Sequence, residues 1–360
     1  MRILSRYILN EFLKIFLLIL VIMISLFLVI DFFERIDEFI IRHSTATDCV
    51  KYFIFKIPWI TFLMVPPSVL LSTVIVTSIF SRNNELTAMK ACGISLVRIF
   101  TPVLATTLVL VLLTILFNEY IIPFTTMKAN HIFYVKVRKQ NPKGIFKRDR
   151  IWFHSEDGSI WNIQLFDPDT NTLKGVSIYR YDKGMMIRQR IDATLVTWID
   201  RRWHFSDVVI RTFHKDGTFS TDYFKEKDII VSGTPEDLKE VQKRPEEMSL
   251  REISRYVRKI RREGFDDTRY TVDMHRKLSF PFISLVMTLI GIPLSLRSSR
   301  SGGMTFCVGL SIVIGFSFYF IFSMGISLGY NGGLPPLLAA WGANLIFITM
   351  GLYLLLAVRQ

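Results

Sequence analysis

The sequence predicts a polytopic α-helical membrane protein, six transmembrane helices with an all-β, jelly-roll-like domain inserted between helices 3 and 4 on the outer side. Three observations predict it. Half of the 360 residues are apolar and 30 are Phe, with a positive mean hydropathy, too apolar for a soluble domain of this size. Six apolar runs are each long enough to cross a hydrocarbon core of ~30 Å as a helix. Between the third and fourth runs the chain changes to short alternating segments separated by turn residues, the pattern of strands in water.

The runs are Ile15 to Asp31 with flanking turns, Ile57 to Ser81, Ile99 to Asn118, Leu278 to Leu296, Met304 to Leu328, and Pro335 to Val358. Turn chemistry from Gly329 to Pro336 separates the last two. The net charge of +13 acquires meaning from where the cations fall. Arg2, Arg6 and Lys14 precede the first span, Arg82, Lys90 and Arg98 follow the second, Arg297 and Arg300 the fourth, and Arg359 the sixth. All lie on one side, which the positive-inside rule makes cytoplasmic, with both termini inside. A basic start before an apolar run resembles a signal peptide, but no small-residue cleavage site follows Ile30. Cys49, Cys92 and Cys307 are expected outside, inside and within the membrane, so they cannot pair within one chain.

Residues 82–95, RNNELTAMKACGIS, form a polar interruption between two spans and therefore lie at a membrane surface. Asn83 or Asn84 is suited to cap a helix there, Glu85 sits in the first turn, and Gly93 is a natural stop. Leu86 and Met89, with Cys92 behind them, make a small apolar stripe beside Glu85 and Lys90. Two readings follow, a loop that is simply helical and a docking helix for a cytoplasmic partner.

Beyond the third span, residues 128–248 form the inserted domain, leaving 1–127 and 249–360 as the helical parts. Strands are expected at Ile151 to His154, Ser159 to Phe166, Val176 to Tyr181, Ile187 to Ile199, Trp203 to Phe213 and Thr218 to Phe224. Turn pairs at Asp157-Gly158, Pro168-Asp169, Lys183-Gly184 and Asp216-Gly217 separate them. The expected fold is a sandwich, a jelly roll or an open variant. Ser249-Leu250-Arg251-Glu252 then reads as a capping box and Gly264 as a stop for a basic amphipathic helix, suited to anionic lipid or simply solvated on its charged face.

No catalytic constellation survives inspection. Gly325-Ile326-Ser327-Leu328-Gly329 has the letters of a hydrolase elbow, but it ends a membrane helix and no His follows it. As GxxxG it suits close helix approach instead. The His and Cys spacings suggest no metal site, and no phosphate-binding GxxxxGK[ST] loop is present. Any energy for work must come from a partner.

Arg6-Tyr7-Ile8, Glu85-Leu86 with Met89, Ala91 and Gly93, Glu119 with Pro123, and Lys277 with Pro281 resemble, in order and spacing, the LptF/LptG family of lipopolysaccharide-export ABC transporter permeases. Ile151-Trp152-Phe153, Asp157-Gly158 and Gly175 to Tyr179 look more like LptG than LptF. The resemblance implies an inner-membrane permease that pairs with a second, LptF-like permease and docks a coupling helix carrying Glu85, Leu86, Met89 and Gly93 on a cytoplasmic ATPase dimer, which alone binds ATP. It implies no cofactor and no nucleic acid. It also implies a membrane-anchored LptC-like protein and a periplasmic bridge that receives the lipid, and first and fifth helices that form lipid gates. Lys128, Lys136 and Arg138 are candidates for lipid phosphates or ordinary surface charge, and Trp161, Ile163 and Ile178 for a lipid groove or plain core. Some LptG-like members carry a lysine where this chain has Asp31; the expectation is that Asp31 holds Arg35, four residues on, toward the lipid head. The competing functions are a membrane-anchored sensor and a mechanotransmitting permease that moves no lipid itself.

Overall fold

A computed structural model describes residues 2–42, 44–138, 151–155, 157–167, 170–182, 186–199, 202–214, 217–229, 231, 235, 245–262, 266–298 and 303–358. The turn residues Pro168, Asp169, Lys183, Gly184 and Asp216, the helix stop Gly264, and the cations Arg300 and Arg359 lie outside these. The chain divides into two compact units, one of Met1–Ile41, Cys49–Ala129 and Pro245–Gln360, the other of Arg42–Asp48 and Asn130–Arg244.

The first unit is helical. Its elements are α1 (Arg2–Ile41), α2 (Ala46–Arg82), α3 (Glu85–Ala91), α4 (Leu96–Tyr120), α5 (Ile122–Asn130), α6 (Leu250–Arg262), α7 (Thr268–Ser298), α8 (Gly303–Tyr330) and α9 (Pro336–Val358). Six of these, α1, α2, α4, α7, α8 and α9, are long and apolar enough to cross a membrane. Five of the six helices outrun the apolar spans read from sequence, and α9 matches its own to within one residue. Helix α1 has 40 residues, roughly 60 Å at the usual rise. Hydropathy marks only the part in contact with lipid, whereas the helix itself continues because no Pro or Gly interrupts residues 2–41.

Helices α2 and α7 form the centre, with most of their apolar windows buried. Pro58, Pro66 and Pro67 lie within α2. Each proline removes an N–H and leaves the carbonyl four residues earlier without its helical donor, which a neighbour must supply in a dry interior. For Pro67 that acceptor is Leu63, whose carbonyl receives the Tyr319 hydroxyl from α8 at 3.3 Å. Polar side chains join other spans: Thr107 and Thr288 hydroxyls lie 3.0 Å apart, and Asn344 Nδ2 donates to the Ser279 carbonyl at 3.0 Å. The GxxxG pair behaves as its spacing predicts. A Cβ on Gly325 would stand 2.8 Å from the Ala339 carbonyl oxygen, and one on Gly329 2.5 Å from the Ala339 Cβ, so α8 and α9 approach closely only because these residues are glycine.

The second unit contains a π-helical segment, His131–Val137, and an antiparallel sheet. Its strands are β1 (Ile151–His154), β2 (Ile160–Asp167), β3 (Thr172–Tyr181), β4 (Ile187–Ile199), β5 (Arg202–Phe213) and β6 (Phe219–Asp228). All six lie where strands were expected. Among the described residues they form one sheet in sequence order, β1-β2-β3-β4-β5-β6, a meander with no second stacked layer. Register places Trp161 opposite Ile178, Ile178 opposite Ile191 and Ile191 opposite Ile210, so one face is apolar from β2 to β5. Trp161 on β2 and Trp203 on β5 stack edge to face with centroids 6.3 Å apart. Three strand spacings in a flat sheet span roughly 14 Å, so the sheet curls and closes its apolar face upon itself.

Candidate functional site

The helix expected between the second and third spans forms, though it is short. Helix α3 has seven residues and ends in a Schellman arrangement: Ile94 N–H donates to Met89 O at 3.1 Å and Gly93 N–H to Lys90 O at 2.9 Å. Gly93 has φ +77°, where a side chain would be strained. The N-cap Asn84 sits in the left-handed region without a side-chain capping bond. Asn83 contributes instead, its Nδ2 donating to Glu85 Oε1 at 3.2 Å, while the Tyr7 hydroxyl of α1 donates to Glu85 Oε2 at 3.0 Å.

The apolar stripe points inward. Leu86 and Met89 are buried in a core shared with Ile8, Phe12, Phe80, Ile99 and Phe100, whereas Cys92 is exposed and does not extend the stripe. The stripe that sequence alone offered to a partner thus anchors α3 to α1, α2 and α4. The surface left outward comprises Thr87, Ala88, Lys90 and Ala91, with Glu85 half-buried at its edge.

A second cluster lies further along α1. Asp31 is 5% exposed and accepts Arg35 Nε at 3.1 Å, the pair expected from sequence. It also accepts Lys56 Nζ at 2.6 Å on both oxygens. Both cations stand beside the Tyr52 ring, at 5.3 Å for Lys56 and 5.8 Å for Arg35. Two cations on one carboxylate leave these three side chains with a net positive charge. Lys56 was not singled out from sequence, although a signal existed: Asp31 lies as many residues before the end of α1 at Ile41 as Lys56 lies after the start of α2 at Ala46, so a helical hairpin sets them opposite.

The other basic candidates are engaged within their own units. Lys128 packs its ammonium over Phe124 at 4.2 Å and Phe55 at 5.2 Å. Lys136 pairs with Asp48 at 3.0 Å, and Arg138 lies over Phe133 at 4.8 Å and Tyr134 at 5.4 Å. Trp161, Ile163 and Ile178 are fully buried in the packed core of the sheet, so a lipid chain reaches them only if the curled sheet opens. One further residue gains a role that sequence left unassigned. Glu119 at the end of α4 accepts the Leu250 backbone N–H at 2.7 Å and pairs with Arg251 at 3.5 Å, tying α4 to the start of α6. There the capping box closes, with Ser249 N–H on Glu252 Oε2 at 2.8 Å and Glu252 N–H on Ser249 Oγ at 3.1 Å.

A family model described as lipopolysaccharide export system permease LptF/LptG matches residues 6–357. The chain belongs to the LptF/LptG family. Its relatives include the lipopolysaccharide export system permease protein LptG of Haemophilus influenzae, 25% identical over 298 residues and covering 82% of each chain. The protein of the same name in Escherichia coli strain K12 is 24% identical over 369 residues, covering 98% of each chain. Within this LptF/LptG chain, residues quoted from distant parts of the sequence meet in space: Tyr7 binds Glu85, and Leu86 and Met89 pack on Ile8.

Proposed function

We propose that the chain is the permease subunit of an ABC transporter that extracts lipopolysaccharide from the inner membrane and passes it to a periplasmic bridge. The observation that carries this reading is the family match from residue 6 to residue 357, which takes in both the spans and the sheet. On this reading both termini are cytoplasmic and α3 docks on an ATPase dimer that supplies all the ATP chemistry. Glu85 contacts a cation of that partner while Tyr7 and Asn83 hold the carboxylate in place, and Gly93 ends the helix at the docking surface. Leu86 and Met89 act by anchoring α3 to its own bundle.

An LptF-like second permease faces α1 and α8, the two spans with the smallest buried share, 11% and 22% of their apolar windows. The lipid head meets the Asp31, Arg35 and Lys56 cluster of the helical unit, with Lys128 as a further phosphate contact; Lys136 and Arg138 are separate phosphate contacts of the β-unit, and an LptC-like anchored protein completes the assembly. The β-unit is the periplasmic element, its single curled meander standing where a jelly-roll-like fold was expected. Strand β6, exposed along nearly its whole length, ends the sheet among the described residues and is suited to strand addition by the bridge.

The test is copurification with a tagged ATPase and the second permease, followed by ATP-driven release of lipopolysaccharide from proteoliposomes to the bridge. A chain that copurifies with neither, or a complex that hydrolyses ATP and releases no lipid, refutes the reading. Glu85→Ala is expected to fold and to lose assembly or export, because breaking a buried interfacial charge contact costs roughly 2–5 kcal/mol. Tyr7→Phe, which keeps the charge, is expected to have the smaller effect.

A further inference from the structure

The helical unit holds a cavity of about 400 Å³ beside the end of α3, within the roughly 300–1,000 Å³ of small-molecule sites. Phe100 and Leu104 of α4, Ile292 and Leu296 of α7 and Leu355 of α9 wall it, and the turn of residues 93–95 that leaves α3 borders it. Four features bear on its occupant. The start of α4 and the ends of α7 and α9 meet here, so the cavity lies at the depth where membrane helices leave hydrocarbon. Its polar side chains are limited to Lys90 and Ser95, too few to hold a water-soluble ligand. Val97 and Leu352, which also line it, are exposed on the outside of the bundle, so it opens toward lipid. Lys90 is exposed and, among the described residues, forms no ion pair.

We propose that this cavity takes one acyl chain of an anionic phospholipid, with the lipid phosphate on Lys90. The bound chain braces the turn after α3 against α4, α7 and α9, so the membrane's own lipid fixes the orientation of that helix. This ligand is distinct from any exported cargo, and the inference stands whether or not α3 docks on an ATPase.

The test uses the full chain in phosphatidylcholine nanodiscs containing phosphatidylglycerol with a photoreactive diazirine at the acyl terminus. Crosslinks are expected on peptides covering residues 96–104 and 289–296, several-fold stronger than with the same diazirine on phosphatidylcholine. Leu104→Trp, which fills the cavity from a half-buried wall position, is expected to abolish them. Lys90→Gln, an exposed change, is expected to erase the headgroup preference while leaving acyl labelling, and it decides the matter should the tryptophan variant fail to fold. Equal labelling from both headgroups, or full labelling in a folded Leu104→Trp protein, overturns the proposal. Displacement of the probe by excess lipopolysaccharide would assign the cavity to cargo, and displacement by the ATPase would assign it to a protein partner; either result also overturns it.

Discussion

Asp31 carries two cations on one carboxylate inside the helical unit, and its removal is expected to be felt at both. Asp31→Asn takes from the half-buried Lys56, with a side chain only 13% exposed, its hydrogen-bonded counter-charge, and since breaking a fully buried pair typically costs roughly 3–5 kcal/mol, a loss at or below the low end of that range is expected. Thermal unfolding in nanodiscs should show this loss, and Asp31→Asn with Lys56→Gln should recover part of it, since the orphaned charge is then gone. An additive double variant would mean that the two side chains do not interact. Tyr319→Phe removes the donor that replaces Pro67's missing N–H, and is expected to cost about 1 kcal/mol by the same measurement. In the β-unit, Asp157 is held below its ordinary carboxylate value: burial opposes the charge, but hydrogen bonds from the Ser159 hydroxyl and backbone N–H outweigh it. A depressed carboxyl contributes stability above its unfolded value of about 4 that disappears as pH falls through the folded one. The stability of the sheet, read from its unfolding by tryptophan fluorescence, should therefore fall below about pH 4, with a shallower acid slope in Asp157→Asn.

Between elements, the contact of α8 with α9 leaves no space for a methyl group at Gly325, because the nearest atom is backbone and cannot rotate away. Gly325→Ala is expected to destabilise the bundle by about 1–3 kcal/mol, the usual range for overpacking. In the sheet, Trp161→Ala empties the site that meets Trp203 and should cost about 3–5 kcal/mol, read as earlier unfolding of the β-unit. These elements were legible because their signals are local. Period-two alternation and turn pairs located the strands, and uninterrupted apolar runs located the spans. What stayed hidden depends on which body covers a given face. Leu86 and Met89 show a stripe in any reading of α3, but the residues that cover it, Ile8 and Phe12, come from the far end of the sequence. Likewise the Arg35 partner of Asp31 lies one helical turn away and was readable, whereas Lys56 belongs to another helix and depends on hairpin register. The curl of the sheet also escaped, since alternation gives a face and not its curvature.

At the scale of the whole chain, α1 is held by its own unit chiefly near its two ends. Ile8, Phe12 and Phe16 pack at one, and Asp31 and Phe39 engage Lys56 and Tyr52 toward the other. Between them Leu17, Leu18, Val21, Ile22, Leu26 and Val29 are exposed. On the proposed assembly, photoreactive diazirine side chains placed at Val21 and Leu26 should capture a second permease in the complex and lipid in the isolated chain; capture of lipid alone in both would place the partner elsewhere. The bond between Tyr7 and Glu85 adds a mechanical consequence. Tyr7 and Asp31 are 24 residues apart on one unbroken helix, roughly 36 Å at 1.5 Å per residue. That makes α1 a lever whose short handle is fastened to α3, and each degree by which α3 tilts it about Tyr7 swings Asp31 and Arg35 sideways by about 0.6 Å over that arm, against Lys56 on α2.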